Sequence, residues 1–546
     1  MRRPIGKPLA AQRFAFLCYT PVTMYIFCSA LVICIKVIIM NIIHFTACLA
    51  GKDVERMNIE LVVFIVYLIF MLGIGVYFFL RMRSGGEKDY FLGGRKMGPW
   101  VSALSAGASD MSAWSLMGLP ASVYALGMGQ TWIAIGLAIG YALSWILEAP
   151  RLRRYSIAAN DSITIPQYLA NRFLSKNKSI QVICAIIFLV AYTIYAASSI
   201  KACGTLFNTV VGVDANVAMY LAAIIIISYT FLGGFSAVSW TDFFQGMLML
   251  AALLIAPIFA LALVESGQGM STMDQVDKNY WNLFTSWQDI VSGMGWGLGY
   301  FGMPHIIIRF MAVRSDKDIK KSAAIGITWT VLILGFAVIS GLIGRMYLGE
   351  ISDTSTVFIQ MVRKIFPPVI SGILLSAILA ASMSTADSQL LSSASAFASD
   401  VYKPVIRKGK ASDKEMLWAG RLVVLAVAIV ALLIASNPNS GSIMNLVSNA
   451  WGVFGAAFGP VILLSLFWRR LTFGGAVAGI VVGAGVDIAW LAFLSSTGVY
   501  EIVPGFLCGV VAAVVVSLVS KEPGKDVVKL FDRVASKRKS DNHSVI

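Results

Sequence analysis

The chain has 546 residues, of which 58% are hydrophobic and only 13% are charged. Such a composition excludes an ordinary soluble domain, because so many apolar side chains exceed what a water-soluble core buries, and it favours a polytopic membrane protein. The net charge of +15 does not indicate nucleic-acid binding, because most basic residues fall in alternate loops between apolar segments, as cytoplasmic loops require.

The first 56 residues differ from the rest of the chain. They hold four of the seven cysteines, and Lys36 interrupts their apolar stretch. A clean membrane segment starts at Met57. We therefore interpret residues 1–56 as an N-terminal extension, with Met57 as the initiator, and with an extra span or a signal-like leader as alternatives.

Apolar runs of about 20 residues, the length of a spanning helix, recur from the extension to the C-terminus. The sequence predicts an all-α polytopic membrane protein with about 13 transmembrane helices. The predicted spans are 58–80, 99–123, 130–149, 179–200, 216–233, 241–264, 286–308, 323–348, 367–398, 415–436, 443–467, 473–494 and 502–520.

The basic loops set the predicted orientation in the cell membrane. They place the start of the first span outside and the tail in the cytoplasm, which requires an odd number of spans. The predicted divisions are the extension 1–56, a first span with a basic cytoplasmic loop 57–97, a first repeat 98–285, a second repeat 286–470, two C-terminal spans 471–520 and a basic cytoplasmic tail 521–546.

The second span carries an aspartate, Asp110, within the segment Ser105 to Gly118. An aspartate at the centre of a spanning helix costs about 3 kcal/mol on insertion scales, so one that is kept usually meets an ion, a proton or a substrate. Two glycines and several small side chains surround it and favour an opened helix whose carbonyls turn toward a cation. The structural alternative is close small-residue packing around a paired aspartate.

The seventh span is interrupted by glycines, five of them between Ser292 and Pro304. They favour a bent or unwound helix, with close helix packing as the alternative. The two weak spans are five apart, which predicts two inverted five-helix repeats with discontinuous helices at spans 2 and 7.

The ninth span becomes polar after an apolar start. Many membrane hydroxyls bond only to their own helix, but the adjacent Ser384 and Thr385 offer neutral oxygen ligands near the carbonyl of Ala381. With the carbonyls beside Asp110, they would form a small cation site that suits sodium better than calcium. Asp387 either adds charge to this site, pairs with a basic residue or faces the cytoplasmic water path.

Three further polar residues are open to simple interpretations. We expect His305 to be a satisfied histidine of the helix bundle and Arg309 to extend to the headgroups. Asp242 either gates the inner mouth or caps its helix.

Four segments, Ser105 to Pro120, Tyr229 to Asp242, Met294 to Ala312 and Leu374 to Leu391, resemble those of the sodium/solute symporter family, and most closely its proline branch. The resemblance covers the chain from about Met57 to the last span. It implies sodium-coupled symport of L-proline across the lipid bilayer by alternating access.

The resemblance also implies particular site residues. The sodium site would use the carbonyls of Ala108, Met111 and Ala381 and the hydroxyls of Ser384 and Thr385, with Asp110 governing sodium affinity. The substrate site would include Ser112, Trp114, Tyr195, Trp296, Tyr300 and Pro304. One departure is Ala113, which stands where the proline branch has glycine.

The sequence shows no phosphate-binding loop, histidine cluster or appended soluble domain that would indicate an enzyme. Sodium is the expected coupling ion, and no cofactor is expected. The alternatives are a sodium-coupled symporter for another small carboxylate or sugar, and a transporter-like membrane sensor.

Overall fold

The computed structural model describes residues 52–81, 87–266 and 278–536. Within these ranges the chain is helical, and the only strand-like pairing is a bridge between Met97 and Val313. The helices are α1 Lys52–Arg81, α2 Glu87–Leu92, α3 Pro99–Asp110, α4 Leu119–Leu126, α5 Thr131–Leu143, α6 Ala149–Ala158, α7 Ile165–Arg172, α8 Ser179–Val211, α9 Ala215–Glu265, α10 Trp287–Gly295, α11 Pro304–Ala312, α12 Asp316–Leu348, α13 Val357–Ile365, α14 Pro368–Ser395, α15 Asp413–Ala435, α16 Ile443–Phe467, α17 Phe473–Phe493, α18 Ile502–Val519 and α19 Lys525–Ser536.

Most of the predicted extension, and the last ten residues of the predicted tail, lie outside the described residues. By its internal contacts the chain divides into Met1–Leu61 and Val62–Ile546. In the first of these units the described part is the beginning of α1, where Arg56 pairs with Glu60 at 3.2 Å.

Ten helices in the described ranges are long and apolar enough to cross a membrane. The three remaining predicted spans are shorter or interrupted in the structure. One is split between α3 and α4, and another between α10 and α11. The third is the first part of α9, which is separated from the second part at Gly234, whose positive φ of 58° breaks the helix.

Burial separates the central helices from those on the periphery. In α14, 83% of the most apolar 18-residue window is buried, and in α16 78%, whereas the corresponding share in α1 and α15 is 28%. A helix that is apolar all round is buried, and one that keeps an exposed apolar face is suited to lipid. The core of Val62–Ile546 therefore lies around α14 and α16.

The elements that contact these central helices position the candidate site. α14 packs against α8, α9 and α3, and α16 packs against α8 and the segment that joins α10 to α11. Both interrupted spans therefore contact a buried central helix. The last two spanning helices, α17 and α18, form a hairpin that packs on α16.

Candidate functional site

The second predicted span is broken immediately after Asp110. Helix α3 ends there, and Met111 has non-helical backbone angles (φ −74°, ψ 70°). The N–H of Ser112 donates to the carbonyl of Asp110 at 2.8 Å, and a π-helical turn begins at Trp114. In a continuous α-helix the N–H of Ser112 would donate to the carbonyl of Ala108. The break therefore frees backbone carbonyls inside a membrane-spanning segment.

Side chains of other helices contact the freed carbonyls. The hydroxyl of Ser384, on α14, donates to the carbonyl of Ala108 at 2.7 Å. On α11, Nε2 of His305 lies 3.2 Å from the carbonyl oxygen of Ser109. Because a buried carbonyl without a partner is costly, these tertiary contacts stabilise the break.

Residues predicted to form the sodium site meet at this break. The hydroxyl of Ser384 lies 3.2 Å from the carbonyl oxygen of Ala381 as well as contacting Ala108. Thr385 is fully buried, and its hydroxyl has no hydrogen-bond partner among the described residues. Met111 is also fully buried. These oxygen atoms are neutral and hard, which is the donor type that alkali and alkaline-earth cations prefer.

The carboxylate of Asp110 faces the seventh predicted span. It is fully buried, and Oδ2 accepts a hydrogen bond from the hydroxyl of Tyr300. Oδ1 has no hydrogen-bond partner in the described part of the chain. The backbone carbonyl of the same residue accepts from the indole of Trp114 at 3.2 Å and the hydroxyl of Tyr195 at 3.5 Å. Asp110 thus contacts three of the residues predicted to bind substrate.

An aromatic cluster lies next to this carboxylate. The rings of Trp114 and Trp296 are 6.2 Å apart, and Trp296 stacks on Tyr500 at 5.0 Å. The ring of Tyr300 contacts that of Trp451 at 5.1 Å, and the indole N–H of Trp451 donates to the carbonyl of Trp296 at 2.8 Å. Sequence reasoning missed Trp451 and Tyr500, because no motif marks them and they join the cluster only through the packing of α16 and the C-terminal hairpin.

The remaining predicted substrate residues are buried near the two breaks. The hydroxyl oxygen of Ser112 accepts from the N–H of Trp114 at 3.4 Å. Pro304 occupies the first turn of α11, directly after the interruption of the seventh span. This position is the observation that associates it with the other predicted substrate residues. The next N–H, that of His305, donates to the hydroxyl of Tyr192 at 2.8 Å. His305 is therefore a satisfied histidine of the bundle, as its sequence context predicted.

The glycines of the seventh span serve both interruption and close packing. Helix α10 ends at Gly295, a 3₁₀ segment covers Trp296–Phe301, and α11 begins at Pro304. A Cβ atom on Gly297 would lie 2.2 Å from the carbonyl oxygen of Gly136 on α5. A larger residue would therefore separate the two backbones. The two interpretations of these glycines are compatible, and the structure shows both.

A buried ion pair contacts the second span at Ser105. Nη2 of Arg309 donates to Oδ2 of Asp242 at 2.8 Å. Arg309 also donates to the hydroxyls of Ser105 and Ser388, each at 2.7 Å, and Ser105 donates to Asp242 at 2.6 Å. The expectation that Arg309 extends to the headgroups was wrong, because a carboxylate and two hydroxyls offer it partners inside the bundle. Asp242 lies within α9 and caps no helix start.

The loops with the most basic residues are also joined to each other. The Arg95 guanidinium donates to the carbonyls of Met311 and Ser162 at 2.6 and 2.7 Å and to the carboxylate of Asp161 at 3.0 Å. Burial lowers the pKa of Arg95, and the carboxylate of Asp161 offsets part of that decrease. Arg95 therefore joins the loop after the first span to the end of α6 and to the end of α11.

Two interrupted helices whose freed carbonyls meet a buried central helix define a class of membrane protein, the secondary transporter that binds its solute and ion where helices are broken. The chain belongs to the sodium:solute symporter family, whose model matches residues 90–483. That family consists of transporters, not enzymes. Its name identifies sodium as the coupling ion.

Curated relatives agree with this assignment, and a solved structure shares the fold. The chain is 45% identical to the high-affinity proline transporter PutP of Bacillus subtilis, over 83% of this chain and 97% of the relative. It is 44% identical to the sodium/proline symporter of Haemophilus influenzae, over 87% and 97% of the two chains. A Na⁺-coupled sialic acid symporter, solved in a substrate-bound outward-open state, shares the fold with a TM-score of 0.71 at 22% identity, covering 86% of this chain and 99% of the other.

Proposed function

We propose that the protein is a sodium-coupled symporter of L-proline that works by alternating access. The observation that carries this proposal is the contact of the Ser384 hydroxyl with the carbonyls of Ala108 and Ala381 at the break of the second span. It brings neutral oxygen donors from two spans together at a buried point. The names of the relatives supply the solute and the ion.

The proposed sodium site uses the carbonyls of Ala108, Met111 and Ala381 with the hydroxyls of Ser384 and Thr385. A hydroxyl donates its hydrogen to one acceptor and presents its lone pairs to another partner. The Ser384 hydroxyl can therefore ligate sodium through a lone pair while its hydrogen is donated to a carbonyl at the break.

Asp110 would govern sodium affinity from its position between the carbonyl ligands Ala108 and Met111. Its carboxylate accepts from Tyr300, which lies in the interrupted seventh span. Sodium at the break would change the electrostatic potential at this carboxylate. This would in turn change the position of Tyr300. This contact is the proposed physical link between the ion site and the solute site, and linkage requires each ligand to raise the affinity of the other by the same factor.

The proposed solute site includes Ser112, Trp114, Tyr195, Trp296, Tyr300 and Pro304. Aromatic walls suit the compact ring of proline, and few polar groups are needed to orient it. The carboxylate of proline would lie at the start of the turn that follows Ser112, because helix N-termini favour anions and the first N–H of α11 is already donated to Tyr192.

The proposed topology has thirteen spans with the C-terminal tail in the cytoplasm. The first five-helix repeat would run from α3 through both parts of α9, and the second from α10 through α16, with α17 and α18 following. The interruptions at Met111 and at Trp296–Phe301 support this arrangement, because they fall at corresponding positions of the two repeats. The contacts of Arg95 then lie on the cytoplasmic side.

One residue supports keeping a second candidate solute. Ala113 stands beside Ser112 at the break, and a methyl group there narrows the space next to the solute site. A symporter for another small carboxylate or sugar is therefore the alternative. A transporter-like sensor would bind the same solute without moving it.

Uptake of labelled L-proline into proteoliposomes tests the proposal. An imposed sodium gradient should drive accumulation, and a matched potassium gradient should not. A folded protein that accumulates other carboxylates or sugars, but not proline, would replace proline by the alternative solute class. Binding without accumulation would favour the sensor.

A double variant tests the sodium site itself. Ser384→Ala with Thr385→Ala should raise the sodium concentration for half-maximal uptake, because two oxygen ligands are lost. Ser382→Ala is the matched control, since the Ser382 hydroxyl donates to the carbonyl of Ile378 in its own helix at 2.8 Å. An unaltered sodium dependence in the double variant would remove both hydroxyls from the site.

A further inference from the structure

Helix α16 and the two helices of the C-terminal hairpin contain a single charged side chain. Helices α16, α17 and α18 carry no Lys, Arg, His or Glu, and their one acidic residue is Asp487 on α17. The three helices pack against each other. An aspartate here has no cation on its own or the adjacent helices of the hairpin.

Asp487 is fully buried, and neither of its carboxylate oxygens has a hydrogen-bond partner in the described part of the chain. A second acid approaches it. Glu501 precedes α18 and is 8% exposed. A Cβ atom on Gly452 would lie 2.8 Å from Oδ1 of Asp487 and 3.4 Å from Cγ of Glu501. Both side chains therefore reach the same point of α16, where a glycine leaves room for them.

An ionised carboxylate in this position is strongly unfavourable. Burial of an unpaired charge costs several kcal/mol or more, so such a group takes up a proton or a cation instead. A second carboxylate nearby adds repulsion. A sodium or calcium ion would need about six oxygen ligands. The side chains around Asp487 supply the carboxylate of Glu501, and the helix carbonyls are engaged in their own ladders except that of Ala456, which Pro460 leaves without an N–H donor.

We propose that Asp487 is a proton-binding site, held as the neutral acid in the folded transporter, with Glu501 as the group through which the proton reaches it. Glu501 suits this role because it adjoins the hairpin loop and retains some exposure. The ligand of the site is a proton and not the coupling sodium ion, whose proposed site lies at the break of the second span.

The site adjoins the proposed solute site. Tyr500, the residue before Glu501, stacks on Trp296 at 5.0 Å, and its hydroxyl donates to the carbonyl of Ser448 at 2.7 Å. Loss of the proton from Asp487 would place a charge inside the hairpin that supports this stack. Proline uptake should therefore fall when the pH is raised far enough to ionise Asp487.

Other titratable groups face the hairpin from its own helices and from the elements packed on it. Asp289 accepts from Thr285 and Ser286, and Tyr300 donates to Asp110. In the described part of the chain these groups include Glu501, Tyr500, Cys508, Asp289, Tyr300 and Arg470. Arg470 is the basic one, and it donates to the carbonyls of Leu518 and Ser520 at the far end of α18. Asp487 lies more than three turns into α17, about 20 Å along the helix from its start, so Arg470 does not neutralise it.

Infrared spectroscopy of the full-length protein in lipid tests the protonation directly. At neutral pH the wild type should show the carbonyl band of a neutral buried carboxylic acid, and Asp487→Asn should lose the intensity of one such group. Glu501→Gln is the second variant, which should shift this band but not abolish it. Unchanged intensity in Asp487→Asn would overturn the proposal. Disappearance of the Asp487 band on addition of sodium would also overturn it, because the ligand would then be sodium.

The pH dependence of uptake gives the second readout. Asp487→Asn should keep neutral-pH uptake and lose the alkaline decrease of the wild type, because asparagine imitates the neutral acid. An alkaline decrease that persists unchanged in a folded Asp487→Asn protein would overturn the link to transport. This readout depends on the proposed proline function, whereas the infrared band does not, so failure of one can be distinguished from failure of the other.

Discussion

Replacement of Arg309 by methionine removes the cation from a buried ion pair and leaves the carboxylate of Asp242 without its partner. In the structure, Arg309 and Asp242 have side chains that are 3% and 0% exposed. The same change removes the donors that contact Ser105 and Ser388. Removal of one member of a buried pair costs about 3 to 5 kcal/mol, because the other charge stays buried and uncompensated.

The double variant Arg309→Met with Asp242→Leu separates the cost of the uncompensated carboxylate from the cost of lost packing. Replacement of a whole buried pair by apolar residues of similar size is often neutral or stabilising. The double variant should therefore be more stable than Arg309→Met alone by most of the about 3 to 5 kcal/mol that the single change costs. The free energy of unfolding, followed by tryptophan fluorescence in mixed micelles, measures both differences.

An exposed ion pair provides the control. Arg469 pairs with Asp532 at 2.7 Å, but the two side chains are 60% and 50% exposed. Arg469→Ala should cost about 0 to 1 kcal/mol, as is usual for solvent-exposed pairs. If Arg309→Met costs no more than Arg469→Ala, or if removing Asp242 as well destabilises the protein further, the interpretation of a buried and mutually dependent pair is refuted.

Three other substitutions test the site. Asp110→Asn should abolish sodium-dependent uptake while the protein still inserts, since the buried charge is lost; unchanged uptake kinetics at equal membrane protein would contradict this. Trp451→Phe removes the N–H that donates to the carbonyl of Trp296. It should lower the free energy of unfolding by about 1 kcal/mol and raise the proline concentration for half-maximal uptake. Wild-type values of both quantities would exclude the contact. Gly297→Ala places a methyl group 2.2 Å from a backbone oxygen of α5 and should lower the free energy of unfolding by about 1 to 3 kcal/mol through overpacking. Gly485→Ala is its control, because no atom lies within 4 Å of the added methyl group. Equal stability of the two variants would rule out the close approach.

The apolar runs predicted the class of the protein and most of its helices. This was possible because in lipid a backbone must satisfy its own hydrogen bonds, so spans of about 20 apolar residues become helices wherever they occur. The weak points of two spans were also visible. Small residues around Asp110 and the glycines before Pro304 indicated interruptions, and both spans are interrupted in the structure.

Resemblance to a known family predicted residues that contact each other across spans. Ser384 contacts Ala108, and Tyr300 contacts Asp110. The order of residues in the chain does not show these contacts, because they join separate spans. Binding of sodium and proline at these residues stays a prediction.

Partner choice was decided by tertiary structure alone. The sequence shows that Arg309 lies at the end of an apolar segment, where extension to the headgroups is the usual outcome. Asp242 is 67 residues away in the chain, and only the packing of α9 and of α11 against α3 brings it within hydrogen-bonding distance. The aromatic residues Trp451 and Tyr500 join the candidate site for the same reason.

Hydrophobic length and local flexibility are properties of contiguous residues, so the order of residues was enough to predict a multi-spanning helical membrane protein. Packing selected which carbonyls at the breaks meet a hydroxyl or a histidine and which charges are paired. It also selected the acid on the hairpin helices that has no hydrogen-bond partner in the described part of the chain. Those outcomes depend on the burial of groups from distant spans in a medium where each unpaired polar group is costly.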